Sequence, residues 1–481
     1  MIRFGTGGWR AIIGDEFTKA NIQILAAAMA EKMKAEDVDK KGLVIGYDRR
    51  FLSKETVYWT CEVLAAEGIP VLFVNRSVPT PTIMFYVMKH QLPYGMMVTA
   101  SHNPAIYNGI KVFTAGGRDA DEAQTQDIEK YIQKIEQQKE QYPIRTMEYA
   151  KALEAGLVTE FNPLNEYLDN IIERINMKKI RDAALHIALD PMYGVSQTSL
   201  KTILLTARCD VDLINERHDT LFGGRLPAPS EETLRALRTH VIDYRCDIGL
   251  ATDGDADRIG VIDDQGKFLH ANEILVLLYY YLVKYKGWHG PAVRNLATTH
   301  MLDKVAESFG ETCYEVPVGF KYVSAKMQET DALIGGESSG GLTVKGHING
   351  KDGVYAAALL VEMLAVTGMK ISEIARKLEE EYGTLYTIEK AYHFSEEVKE
   401  QMKEQMKDQL SEGKDLPDFG RGINHVSYMD GCKVYFEDGG WVLARFSGTE
   451  PLLRIFCEMQ EKKEAEEICL IMEQFLGLQA V

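Results

Sequence analysis

The chain is short of positive charge, of paired cysteines and of long apolar runs. Its 54 lysines and arginines are outnumbered by 71 acidic residues, giving a formal charge of −17. That speaks against an extended nucleic-acid surface, because a phosphate backbone is held by clustered Lys and Arg. Any phosphate site must therefore be local. The longest apolar run, residues 274–283, is about half of what a bilayer span requires. The opening MIRFGTGGWR lacks a cleavable apolar segment, so a cytoplasmic protein with no membrane partner is expected. The seven cysteines are an odd number, scattered without the spacing of a zinc knuckle or redox pair, and are expected to be reduced core residues. Low-complexity tracts and short repeats are also missing, which excludes a solenoid or fibre. What remains is 481 residues with 46% apolar content, enough for three or four domains with cores of their own.

Short apolar runs alternate with longer helical patterns: LVIGYD at 43–48, IPVLFV at 69–74 and YGMMVTA at 94–100, then IALD, VDLI and DIGLATD, then AVRN and ALIGG. This alternation predicts three α/β units in succession. A charge-rich helical stretch at 121–157 reads as a surface helix and linker between the first two. After residue 377 the texture changes to a polar helix at 396–411, closely spaced runs KVYF, WVLARF and LLRIFC, and a last helix. That predicts a smaller α+β domain. The expected divisions are 1–155, 156–265, 266–382 and 383–481.

Four motifs carry chemistry. TASHNP at 99–104 follows a buried strand, so Ser101 should emerge at a strand end, where open α/β sheets place ligands. A serine hydroxyl needs help to be a nucleophile, and His102 and Lys111 are nearby basic groups. DGDADR at 253–258 places Asp253, Asp255 and Asp257 in alternation. Such a trio calls for a hard cation such as magnesium. A calcium loop is excluded, because its sixth position should be Gly and its twelfth Glu, where this chain has Arg258 and Asp264. A phosphatase with an aspartyl nucleophile in DGD is an alternative. GGESSGG at 335–341 offers Glu337 and Ser339 as acceptors for sugar hydroxyls, and KGHINGKDG downstream adds His347 and Lys351. RFSGTEP at 445–451 presents Arg445, Ser447, Gly448 and Thr449 as a small phosphate cradle, and Arg10 in GTGGWR is a further basic candidate. Taken singly, each motif also fits an ordinary turn or loop.

Together and in this order, the four motifs resemble those of the α-D-phosphohexomutase superfamily, which includes phosphoglucomutases, phosphomannomutases and phosphoglucosamine mutases. The resemblance spans nearly the whole chain. It implies four domains around a central cleft, three α/β with mixed sheets and a smaller C-terminal α+β domain. It implies a phosphorylated nucleophile at Ser101 and magnesium held by Asp253, Asp255, Asp257 and the seryl group. Lys111 matches the general acid/base, and His102, Arg10 and Arg258 match the reaction centre. Glu337 and Ser339 match the pair on the sugar hydroxyls. Arg445, Ser447, Gly448 and Thr449 match the loop for the distal phosphate, and Lys321, His347 and Lys351 match further substrate positions. The implied reaction interconverts a hexose 1-phosphate and 6-phosphate through a hexose 1,6-bisphosphate, with glucose 1,6-bisphosphate as activator. KGHINGKDG favours glucose. Many relatives end the sugar motif in histidine where this chain has Gly341, which weakens the glucosamine reading. Mannose or pentose phosphates, a phosphatase and a sugar-phosphate sensor are the alternatives, and the chain is expected to be a monomer or homodimer. A lysine among cations and partly desolvated should have a lowered pKa, which is the expectation for Lys111.

Overall fold

A computed structural model of the chain describes residues 2–5, 8–138, 143–394, 404, 416–446 and 452–478. The helix expected at 396–411 falls outside these apart from Glu404, as do Ser447, Gly448 and Thr449. Two compact units are present: Met1–Ile274 with Ser339–Ile374, and Leu275–Ser338 with Ala375–Val481.

In the first unit the apolar runs become two sheets. Leu43–Tyr47 lies between Val71–Val74 and Tyr94–Val98, all parallel. Tyr107–Thr114 and then Trp9–Ile12 extend the sheet antiparallel. Every residue of Leu43–Tyr47 and Tyr94–Val98 is buried, as strands covered on both faces must be, which is why they read as unbroken apolar runs. Val158–Phe161 pairs with the edge strand Val71–Val74, so this sheet runs past the division expected at 155. The returning chain satisfies an edge that would otherwise be exposed. The second sheet has the order Phe268–Leu269, Ile259–Ile262, Ile248–Thr252, His186–Asp190, Asp210–Leu213, and its first strand lies past the division expected at 265 for the same reason. The helix Gly353–Thr367 is apolar nearly all round and buried over most of its length. Asp352 caps it, accepting from the backbone N–H of Val354 and Tyr355. A Cβ at Gly353 would lie 2.4 Å from the Arg258 carbonyl oxygen, so only glycine permits this approach of helix start to the DGDADR loop.

In the second unit Ala292–Asn295 is parallel to both Cys313–Val316 and Ile334–Gly336. Beyond it comes an antiparallel sheet of order Tyr386–His393, Leu452–Met459, Trp441–Phe446, Cys432–Phe436, Ile423–Ser427, packed by the helix Lys462–Phe475. This is the expected α+β domain. Lys433 is buried in this unit, donating to the Leu296 carbonyl and to Glu315, each at 2.7 Å, with its Nζ 4.0 Å from the Trp441 ring. His300 lies 3.1 Å from the same ammonium. All seven cysteines are free and six are buried, in agreement with the core reading. No single helix among the described residues is long and apolar enough to cross a membrane. One bent pair passes on composition, and its first member is the buried helix Gly353–Thr367.

Candidate active site

TASHNP leaves the strand Tyr94–Val98 and turns sharply. Ser101 has φ 51°, in the left-handed region, which costs a non-glycine residue about 1 kcal/mol or more. Neighbours hold it there. The Thr99 hydroxyl accepts from the Ser101 N–H at 2.8 Å and donates to Asp48 at 2.7 Å. The Arg50 guanidinium donates to the carbonyls of Ser101, Asn103, Pro104 and Tyr107 at 2.6–3.0 Å. It also pairs with Asp48 at 3.3 Å and stacks on Phe222 at 4.9 Å. Sequence reasoning missed Asp48 and Arg50. The available signal was two charges at the end of the buried run LVIGYD, where α/β sheets place functional groups.

DGDADR follows the buried strand Ile248–Thr252. Ala256 takes φ 62°, and one oxygen from each of Asp253, Asp255 and Asp257 lies within 4.8 Å of the others. Asp253 accepts from the N–H of Asp257 and Arg258 through one oxygen and from the Ser101 hydroxyl, at 2.9 Å, through the other. The expected serine and acidic trio are thus together. Lys111 bridges Asp255 and Asp257 at 2.7 and 2.8 Å. Thr80 donates to Asp255 at 2.7 Å, and Lys351 lies 3.0 Å from Asp257. One oxygen each of Asp255 and Asp257 is buried with no hydrogen-bond partner. A buried anion left without a partner is costly, and an all-oxygen donor set of this kind suits a hard divalent cation. The residues therefore fit magnesium.

Burial opposes ionisation of all three carboxyls. At Asp253, burial and the charges of Asp257 and Asp255 push the pKa well above the usual range. At Asp257, burial is outweighed by Lys111, Lys351 and Arg258, which hold the carboxyl well below it. Lys111 departs from expectation: burial works against its charge, but Asp255 and Asp257 prevail and raise its pKa. The cations counted from sequence are farther from it than the two carboxylates. His102 goes the other way. Burial, Arg258, Arg10 and Lys351 lower its pKa well below the ordinary value, leaving a neutral ring with Nδ1 3.4 Å from the Ser101 hydroxyl oxygen.

Arg10 donates to the Asn103 side chain at 2.9 Å, within the serine loop, and Arg258 Nε lies 3.9 Å from Asp257. His347 is not beside this group. It is buried, with one ring nitrogen 2.6 Å from Asp352 and the other 3.1 Å from Asn170, while Tyr167 donates to the same Asp352. A contact from His347 to a sugar is not what this geometry offers. Ser339 is exposed and belongs to the first unit, whereas Glu337 belongs to the second. Glu337 accepts from Asn295 and from the Gly319 N–H, both at 3.0 Å. Arg445 donates to Asp430 at 2.7 Å, and Asp430 accepts from the Val318 N–H at 3.0 Å. The segment bearing Lys321, whose ammonium lies 5.0 Å over Tyr322, is thus tethered to both Glu337 and the strand of Arg445. At Gly341 a Cβ would lie 2.1 Å from Lys351 Cδ, so the glycine leaves room for the lysine that reaches Asp257.

Four domain models of one family match along the chain: phosphoglucomutase/phosphomannomutase α/β/α domain I over residues 1–139, domain II over 165–266, domain III over 270–382 and the C-terminal domain over 389–474. A phosphoglucomutase/phosphomannomutase of Thermococcus kodakarensis is 29% identical over 96% of each chain. A protein of Methanosarcina acetivorans, provisionally named phosphoglucosamine mutase, is 31% identical over 96% of each. Among solved structures, a provisionally named phosphomannomutase of Thermus thermophilus superposes with a TM-score of 0.83, at 28% identity over 99% of each chain.

Proposed function

Because the chain belongs to the phosphoglucomutase/phosphomannomutase family, and is thus a phosphohexomutase, we propose that it interconverts glucose 1-phosphate and glucose 6-phosphate with Ser101 as phosphoryl carrier. The observation that carries this is the Ser101 hydroxyl 2.9 Å from Asp253, within a trio of carboxylates suited to magnesium. In the forward step a sugar hydroxyl oxygen forms a bond to the phosphorus of phospho-Ser101 as the bond from phosphorus to the serine oxygen breaks. The product, a 1,6-bisphosphate, turns over and returns its other phosphate to serine. Glucose 1,6-bisphosphate is the natural priming agent for an unphosphorylated serine, which makes it the proposed activator.

Asp253, Asp255, Asp257 and the serine group would hold magnesium, which when bound would supply positive charge against the phosphoryl oxygens and loosen the hold of Asp255 and Asp257 on the Lys111 proton. Lys111, held as an ammonium by Asp255 and Asp257, is proposed to donate a proton to the departing serine oxygen and recover one from the sugar hydroxyl. Neutral His102, with Nδ1 3.4 Å from the serine oxygen, is proposed to steady it, and Arg10 and Arg258 are proposed to draw phosphate oxygens. Glu337 and Ser339 are proposed for the sugar hydroxyls, and Lys321 and the Arg445 loop, including Ser447, Gly448 and Thr449, for the distal phosphate. His347 is reassigned as a positioning residue: through Asp352 it fixes the backbone beside Lys351. A cytoplasmic setting fits free buried thiols.

A glucosamine phosphate is the second reading, favoured by the name of the Methanosarcina relative. Glucose is preferred because Lys351, from KGHINGKDG, takes the space of a side chain at 341. Initial rates on glucose, mannose and glucosamine 1-phosphates, with magnesium and a trace of the matching 1,6-bisphosphate, decide between them. Glucose should give the highest kcat/KM with little free phosphate, and Ser101→Ala should be inactive but folded. Steady phosphate release at a comparable rate, or an active Ser101→Ala protein, would sink the carrier role.

A further inference from the structure

Away from the acidic trio, the second sheet gathers a different set of donors. Three neighbouring parallel strands, His186–Asp190, Asp210–Leu213 and Ile248–Thr252, contribute them: His186 opens the first, Asp212 is the third residue of the second, in register with Ala188, and Cys246 lies two residues before the third. The strand Ile248–Thr252 carries Asp253 at its far end, so Cys246 is removed from it by roughly 20 Å of extended chain. The His186 Nε2 atom lies 2.9 Å from Asp212 Oδ2 and 3.7 Å from Cys246 Sγ, and the three donor atoms all lie within 4.8 Å of one another. Around a tetrahedral zinc ion with bonds of about 2.0–2.3 Å, ligand atoms are separated by roughly 3.3–3.7 Å. These donors are already near that spacing.

We propose that His186, Asp212 and Cys246 form a zinc site, distinct from the magnesium-type trio, with water as the fourth ligand. The donor set is one imidazole nitrogen, one carboxylate oxygen and one sulfur, which selects a borderline-soft ion over magnesium. On binding, the Cys246 S–H bond is replaced by a sulfur–zinc bond and the proton passes to solvent. The proton that His186 Nε2 shares with Asp212 moves to Nδ1 by exchange with solvent, so that the neutral ring turns the Nε2 lone pair to the ion. His240 donates to the same Asp212 oxygen at 2.9 Å, the kind of support that orients a ligating carboxylate. Asp247 accepts from the His186 N–H at 2.8 Å and adds negative charge beside the cluster. Cys246 is buried while His186 and Asp212 remain partly exposed, so an ion can enter from solvent and meet the thiol at the inner end. Because the ligands span residues 186–246, no cysteine spacing in the sequence announces the site. Bound zinc would tie three strands of the sheet that presents the DGDADR loop.

The test is titration of the full-length protein with cobalt(II) as a coloured surrogate, with magnesium in large excess to occupy the oxygen-only trio. A thiolate-to-cobalt charge-transfer band should saturate at one ion per chain and be displaced by zinc. The band should vanish in Cys246→Ser, and affinity should fall more than about tenfold in His186→Gln. Both variants should keep mutase turnover, which reports that they fold. No charge-transfer band in the parent protein, or an undiminished band in Cys246→Ser, overturns the proposal.

Discussion

Arg50 offers the sharpest test of how the serine loop is held. Its guanidinium serves four carbonyls, from Ser101 to Tyr107, and Asp48 besides. Arg50→Lys keeps the charge but replaces a planar fork of five donors with a single ammonium, which cannot span these acceptors. Losing at least two charge-assisted hydrogen bonds, at about 1.5–3 kcal/mol each, sets a cost of about 3–6 kcal/mol. Part of that is recovered, because burial already pushes the Asp48 carboxyl upward against the pull of Arg50, and a more weakly paired Asp48 can take up a proton. We therefore expect about 3–4 kcal/mol of lost local stability. The left-handed Ser101 then relaxes, and displacement of a reacting atom by about 1 Å costs about a hundredfold in rate. Hydrogen exchange of the amides at 99–109 should accelerate by more than about a hundredfold. The turnover number from glucose 1-phosphate to glucose 6-phosphate, followed by a coupled dehydrogenase, should fall about a hundredfold with KM little changed. Exchange and turnover within twofold of the parent in Arg50→Lys would refute the reasoning.

Chelation of divalent ions should abolish turnover reversibly, and magnesium at a hundred times its dissociation constant should add about 2.7 kcal/mol to stability; an unchanged melting temperature on adding magnesium would contradict a site at the acidic trio. Gly341→Ala should displace Lys351 from Asp257 and lower kcat as Lys351→Met does, with the double variant no worse than either; a fully active Gly341→Ala would show that the glycine is not needed for the lysine. His300 has its pKa lowered from 6.5 to about 4 by burial and then by the charge of Arg294. Between those values the unfolded chain binds a proton that the folded chain does not, so stability falls as pH drops from about 6.5 to 4, by about 3 kcal/mol in all. In His300→Gln that component of the acid sensitivity should disappear from thermal melts, and an unaltered pH profile would count against a neutral buried ring.

The buried strands Leu43–Tyr47, Tyr94–Val98 and Ile248–Thr252 were legible because strands covered on both faces are unbroken apolar runs. The C-terminal α+β domain was legible from a change in spacing. The trio of aspartates could be picked out because its members lie within five residues and a single turn makes them converge. Other features were hidden. Arg50 is 51 residues from the Ser101 it holds, and nothing local marks the pairing. His347 looked like a loop residue beside a sugar motif, yet Asp352, Asn170 and Tyr167 enclose it. The pKa of Lys111 was misjudged because its direction depends on whether cations or carboxylates are nearest.

Thus the sequence by itself determined the order of elements, the family and the short contiguous loops of the site, since apolar periodicity and neighbouring side chains act over a few residues. Only the tertiary structure decided which distant charges meet: Arg50 with the serine loop, Lys111 with Asp255 and Asp257, Lys351 with Asp257 across Gly341. Electrostatic energy depends on separation in space and on burial, and chain topology alone sets both for residues a hundred positions apart.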